Sequence, residues 1–416
     1  MFRNLLTRVA AILALTLANS TFAQNRFEGE SMGTTWHVTT VGGETDGLQE
    51  AIETELALVD RQMSTWRDDS EVSRFNSSPS TDWFDVSPET ATVVQFARDV
   101  SEATDGAFDV TVSPLIDLWN FDKNTDRKKL PSDHEIAAAR EHIGWKKLTV
   151  RLDPPAIRKS DPQLKINLSA IAKGYAVDRV AERIAADFAP NYLVEVGGEV
   201  RTAGLNAKGR PWAVGIEKPT EFSRSLHSAI PIQDRAMATS GDYRNFYIVD
   251  GKRYSHTIDP RTGRPVEHLL ASVSILADSC MKADAWATAV TVLGPQAGAK
   301  QATQAGIAAL LLSRSASGFD EQTVGNFPEA VGGPAEPVAG RPSSLFVFFA
   351  ALAVFLVAIG GMAIGVIISN KRLKGSCGGL AGMTDRTGQT ACDLCAMPSA
   401  ECRGERAETN PLDKDA

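Results

Sequence analysis

Cysteine is scarce where most of the chain lies. Of 416 residues five are Cys, and only Cys280 falls among the first 376. That lone thiol has no intramolecular disulfide partner in the stretch, which excludes a disulfide-stapled scaffold there. Its expected role is that of a buried structural thiol. Long basic runs are missing too, and the net charge is −8. Nothing therefore points to nucleic acid as a partner. Charge is absent altogether from Ser344 to Ser369. The rest is ordinary for a folded chain, with 43% hydrophobic and 23% charged residues, and its length allows two or three domains.

The N-terminus has the pattern of a secretory signal over residues 1–23. Arg3 and Arg8 precede the apolar run Val9 to Ala18, and Thr21-Phe-Ala23 is a small-x-small site with cleavage expected after Ala23. No Cys sits at the cleavage point, so a lipoprotein anchor is not expected. At the other end, residues 329–343 hold Pro334, Pro337 and Pro342 among Gly, Ala and Val and read as a linker. The uncharged residues 344–369 exceed the ~20 that a bilayer needs and are expected to form one transmembrane helix. Lys371-Arg-Leu-Lys374 follows at once, which keeps that end cytoplasmic by the positive-inside rule. The large domain is then exported, and the tail, residues 370–416, stays inside.

Between these ends, residues 24–328 alternate strand-like and helix-like patterns. Thr34 to Val41 is rich in β-branched residues and predicts a strand. Ile52, Leu56, Val59 and Met63 lie at helical spacing within Leu48 to Met63. Pro88 to Ala103 and Ala170 to Phe188 predict two further helices, and Asn191 to Val196 a strand ending at Gly197-Gly198. The fold class expected is α+β, a single large domain.

The densest chemistry lies in Tyr254-Ser-His-Thr-Ile-Asp-Pro-Arg-Thr-Gly-Arg-Pro-Val266 and Met281-Lys-Ala-Asp-Ala-Trp-Ala-Thr288. Asp284 and Thr288 are four residues apart and share one helix face. A carboxylate and a hydroxyl suit a hard cation such as Mg²⁺. With His256 nearby, the set points to phosphate chemistry. Asp259 and Arg261 are expected to stabilise the Pro-rich turn. Asn167 to Asp178 opens a helix with small residues, where free N–H groups can meet phosphate, and Lys173 lies one turn in. Gly197-Gly198 and Thr239-Ser-Gly-Asp-Tyr-Arg244 are tight turns, each a weak signal alone.

Seven such segments stand in one order: Ser31 to Trp36, Gly106 to Asp109, Leu168 to Asp178, Gly197-Gly198, Thr239 to Tyr243, His256 to Gly263 and Ala283 to Ala289. In that order they resemble the ApbE family of FAD:protein FMN transferases, over roughly residues 28 to 315. The resemblance implies a periplasmic or membrane-anchored enzyme that binds FAD and Mg²⁺. It moves FMN from FAD to a Thr hydroxyl of an acceptor protein and releases AMP. Met32, Trp66, Ala107, Phe108, Asp109, Asn167, Lys173 and Ile258 would line the FAD. The carbonyls of Ala170 and Ala287 and the side chains of Asp284 and Thr288 would hold Mg²⁺. His256 or Asp284 would serve as the base for the acceptor hydroxyl. Trp66 would stack on the isoalloxazine ring or fill core. Asn167 departs from the Asp common in the family, so FAD contact there is expected to differ.

Cys377, Cys392, Cys395 and Cys402 follow the apolar segment. Four thiolates are the number for a closed Zn²⁺ or an iron site. The arrangement, over residues 344 to about 403, resembles the NqrM maturation factor of the Na⁺-translocating NADH:quinone reductase, which implies iron delivery. That reductase carries flavins linked through phosphoester bonds to Thr. The two resemblances together imply an inner-membrane protein with a periplasmic catalytic domain and a cytoplasmic Cys tail, acting on flavoprotein subunits of that reductase. Two other readings use the same residues: an FAD pyrophosphatase giving FMN and AMP, and a non-enzymatic periplasmic FAD-binding protein.

Overall fold

The structure is a computed structural model, which describes residues 23–121, 130–220, 225–243 and 245–331. The chain divides into two units, Met1–Glu336 and Pro337–Ala416, and the described residues belong to the first. Almost all of the signal segment, the apolar segment 344–369 and the Cys tail lie outside them. Among the described residues no helix is long and apolar enough to cross a membrane.

Strands β1 (Gln24–Ser31) and β2 (Thr34–Val41) form a hairpin, followed by α1 (Leu48–Met63), α2 (Glu71–Ser77) and β3 (Phe84–Asp85). Next come α3 (Pro88–Ala103), α4 (Ser113–Trp119), α5 (Asp133–Glu141) and the hairpin β4 (Leu148–Leu152) with β5 (Pro155–Lys159). Helix α6 (Ala172–Asp187) leads into β6 (Tyr192–Val196), β7 (Glu199–Ala203) and the separate hairpin β8 (Trp212–Glu217) with β9 (Leu226–Ile232). Then follow β10 (Ala236–Gly241), β11 (Phe246–Val249), β12 (Lys252–Ser255), β13 (Ile258–Asp259) and β14 (Arg264–Pro265). The last elements are β15 (Leu270–Ala277), α7 (Cys280–Gln304), β16 (Ala308–Ser315) and β17 (Gly318–Val324).

Eight strands make one antiparallel sheet in the order β1-β2-β6-β7-β10-β15-β16-β17. Every residue of β15 is buried, because both faces of the sheet are covered. Helices α1, α6 and α7 cover one face. Leu48, Ile52, Leu56, Val59 and Met63 form the buried stripe of α1, as the helical spacing predicts. The hairpin β8–β9 packs on the other face, where Val214, Ile216, Ile230 and Ile232 meet Val200, Met237, Leu276, Leu310 and Leu312.

Local signals fix the helix ends. Ser87 accepts the Thr90 N–H ahead of Pro88 and starts α3, and Ser132 with Glu135 forms a capping box for α5. Helix α7 contains a break at Gly294, with φ 79° followed by Pro295; only glycine takes that conformation without strain. The α6 helix begins at Ala172 rather than Ala170. The reason is chemical. The Gly174 N–H, which a regular helix would turn to the Ala170 carbonyl, donates to Asp284 Oδ2 at 3.0 Å.

Candidate active site

Helices α6 and α7 cross at Gly174. A Cβ there would lie 2.4 Å from the Cys280 carbonyl oxygen and 2.8 Å from Asp284 Cβ. The missing side chain therefore lets the two backbones approach. Asp178, one turn on in α6, holds the start of α7 in place. Its Oδ1 accepts the Cys280 N–H at 2.8 Å and its Oδ2 the Met281 N–H at 2.9 Å. Arg201 pairs with the same carboxylate at 2.7 Å. A buried carboxylate thus takes the open N–H groups of a helix N-terminus.

Above this crossing lies a cavity of about 850 Å³, of the size that holds a cofactor-sized ligand. It is lined from three sides. The helices and their loops contribute Ala107, Phe108, Asp109, Asn167, Ala170, Lys173, Asp284 and Thr288. The sheet contributes the turn at Gly197, Gly198 and Glu199, and Thr239 to Gly241. The loop after β12 contributes His256 and Ile258, and β8 contributes Ala213 and Gly215.

Lys173 is no solvated helix charge. Its ammonium donates to Glu199 Oε1 at 2.5 Å. Desolvation acts to lower its pKa, but the charges of Asp284 and Glu199 outweigh this and hold it above the ordinary lysine value. Burial pushes the Glu199 carboxyl up to about 7 against the pull of Lys173. Glu199 Oε2 is buried with no hydrogen-bond partner among the described residues. Burial likewise raises the Asp284 carboxyl above its ordinary value, opposed by Lys173 and by the Gly174 N–H. The helix shift leaves the Ala170 carbonyl without the N–H four residues on.

His256 Nδ1 lies 3.0 Å from the Asn245 carbonyl oxygen. A carbonyl only accepts, so Nδ1 carries a hydrogen. The Asp259 carboxylate takes the Arg261 N–H, Nε and a terminal guanidinium nitrogen at 2.8–2.9 Å, which is the turn-stabilising role expected for the pair. Asp109 is tied down by Thr111 and by the Trp145 N–H, so it shapes the loop that carries Phe108. Asn167 Oδ1 accepts the Ser169 N–H at 2.8 Å, a bond that an Asp oxygen makes equally well. Cys280 is fully buried, and burial pushes its thiol well above the usual range, in keeping with an inert structural thiol.

Three of the sequence-derived residues stand elsewhere. Trp66 is 80% exposed and is not in the cavity lining. It follows the end of α1, where Ser64 and Ser70 turn the chain outward. It neither fills core nor faces the cavity. Met32 sits at the β1–β2 turn with φ 52° and packs on the main core. Ala287 is 1% exposed, and its carbonyl accepts the Thr291 hydroxyl at 2.8 Å. Conversely, Glu199 and the β8 residues escaped the sequence reading. Glu199 stood in a glycine turn with no visible partner, and β8 carries no reactive side chain.

The fold is that of the flavin transferases. The structure superposes on the flavin transferase ApbE from Vibrio cholerae with a TM-score of 0.67 at 40% identity, over 73% of this chain and 97% of that one. The apo flavinyl transferase ApbE of Pseudomonas stutzeri gives 0.66 at 36% identity, over 73% and 95%. The chain belongs to the ApbE family, whose model matches residues 32–311. A curated relative from Vibrio cholerae, named FAD:protein FMN transferase, is 41% identical over 329 residues, 78% of this chain and 98% of the relative. One of the same name from Escherichia coli is 37% identical over 297 residues, 70% and 85%. A second family model, that of the Na⁺-NQR maturation factor NqrM, matches residues 366–410.

Proposed function

We propose that this chain is an FAD:protein FMN transferase that moves FMN from FAD to a Thr hydroxyl of an acceptor protein. The observation that carries the reading is the Gly174–Asp284 hydrogen bond. It takes the Gly174 N–H away from the Ala170 carbonyl, and Ala170, Lys173, Asp284 and Thr288 all line one cavity large enough for FAD.

The residues present fit both bound groups. Ala170 offers a carbonyl, Asp284 a buried carboxylate and Thr288 a hydroxyl, hard oxygen donors of the kind Mg²⁺ takes. The Ala287 carbonyl, which accepts the Thr291 hydroxyl, would be a further oxygen donor. Bound there, Mg²⁺ supplies charge neutralisation at a pyrophosphate. The buried, unpartnered Glu199 Oε2 calls for a donor from a ligand, and the hydroxyl groups of FAD are such donors.

In the reaction the acceptor hydroxyl oxygen bonds to the phosphorus that carries FMN, and the bond to the AMP oxygen breaks. The Lys173 ammonium, held charged by its two carboxylate neighbours, offsets the negative charge of the phosphates. His256 Nε2 takes the hydroxyl proton; Asp284, already engaged by Gly174, is the weaker candidate. Phe108 and Ile258 give the cavity its apolar wall.

The termini extend this reading. Residues 1–23 act as the export signal, 344–369 as a single membrane anchor, and the catalytic domain lies in the periplasm. The NqrM match supports a cytoplasmic tail in which Cys377, Cys392, Cys395 and Cys402 bind iron. It also supports flavoprotein subunits of the Na⁺-translocating NADH:quinone reductase as acceptors. The test uses the full chain with FAD, Mg²⁺ and the Thr-bearing domain of such a subunit. Mass spectrometry should find FMN on the acceptor, absent with Asp284→Ala. FMN and AMP without an adduct would make the enzyme a pyrophosphatase; intact FAD would make it a binding protein.

A further inference from the structure

Strand β8 pairs with β9 alone, and the direction of its free backbone groups follows from two observations. The Val331 N–H donates to the Ala229 carbonyl at 2.7 Å, so Ala229 turns its polar groups away from β8. Ala229 stands opposite Gly215 and Pro231 opposite Ala213. In an antiparallel ladder, residues two apart point the same way, and Pro231, which has no N–H, fits a position without a ladder bond. Ala213 and Gly215 therefore direct their N–H and C=O groups away from β9. Neither has another backbone partner among the described residues.

That open edge faces the cavity. Ala213, Val214, Gly215 and Glu217 of β8 line it, and no residue of β9 does. The buried Val214 and Ile216 anchor the strand to the sheet, while Ala213 and Gly215 are exposed and small. The opposite edge of the hairpin is already covered by Val331. An exposed strand edge with small side chains, opening onto a reaction cavity, is the geometry of strand addition.

We infer that the acceptor protein docks by adding an extended segment to the edge of β8, so that its Thr enters the cavity. The inference rests on the transferase reading, which requires a protein chain as second substrate. Backbone pairing at Ala213 and Gly215 supplies the affinity.

Ala213→Pro tests this, since it removes one outward N–H and no β8–β9 ladder bond. With the full chain and the Thr-bearing reductase domain, the KM for the acceptor should rise about tenfold, and the KM for FAD should change far less. Hydrogen–deuterium exchange on the wild-type full chain is independent of that substitution. Exchange across residues 212–217 should slow when the acceptor domain is added and not when FAD alone is added. An unchanged acceptor KM in A213P overturns the inference, as does protection of the Ala213 and Gly215 amides by FAD alone. If wild type forms no adduct on the acceptor, the transferase reading itself fails; if it does and only the β8 results are negative, the docking edge alone falls.

Discussion

The two faces of the eight-stranded sheet differ in the polar groups they bury. Toward α6 and α7 the buried surface carries Lys173, Asp178, Glu199 and Asp284, each engaged by a named ion pair or hydrogen bond. Toward β8–β9 the contact is apolar throughout, from Val200 and Val214 to Leu312. Adjacent residues of β7 show the division: Glu199 lies on the helix side with Lys173, and Val200 on the hairpin side. Directional bonds fix atoms to a few tenths of an ångström, and a reaction needs that. Apolar packing fixes a layer but leaves its free edge available, and docking needs that. The comparison teaches which face is intolerant of substitutions that conserve size.

The sharpest break falls at the charged face. Asp284→Ala should lower the transfer rate about a thousandfold, about 4 kcal/mol on the barrier, measured as adduct formed per minute. Gly174→Ala should come next. Alanine favours a helix by about 1 kcal/mol, but its Cβ would strike the Cys280 carbonyl. Separating α6 from α7 should outweigh that gain, for a net loss of about 3 kcal/mol in urea unfolding. Asp178→Asn exchanges one acceptor oxygen for a donor facing an N–H. A loss of about 2 kcal/mol is expected in the same assay.

The apolar face should respond differently. Ile230→Val removes one buried methylene and should lower stability by about 1 kcal/mol without moving the KM for FAD. A change in that KM would dissolve the distinction between the faces. The smallest effect concerns pH. Burial lowers the pKa of His268 below its ordinary value, partly offset by the hydrogen bond to the Thr291 carbonyl. The unfolded chain then binds the proton first as pH falls, so stability present above about 6.5 declines below it. His268→Gln should flatten the difference in urea midpoint between pH 7 and pH 5.

Much of this was legible in the residues. The bounds of β2, α1 and α3 follow from their residue types and hydrophobic spacing, and the spacing of Asp284 and Thr288 put both on one face of α7, where both line the cavity. Illegible features depend on partners distant in sequence. The register of α6 is set by Asp284, 110 residues away from Gly174. The charge state of Lys173 is held by Asp284 on α7 and Glu199 on β7. Trp66 carries the composition of a stacking residue but sits where the chain turns outward. Strand β8 has no side chain that signals a role; its contribution lies in backbone groups that only the pairing reveals.

The central claim is that one cavity uses Mg²⁺ and FAD to modify another protein. It is tested most directly by the intact mass of the acceptor after incubation with the full chain and FAD, with Mg²⁺ and with excess EDTA. The account predicts a mass gain of one FMN on a Thr with Mg²⁺ and none with EDTA. An acceptor of unchanged mass beside free FMN and AMP, or an adduct that forms equally well in EDTA, would contradict it.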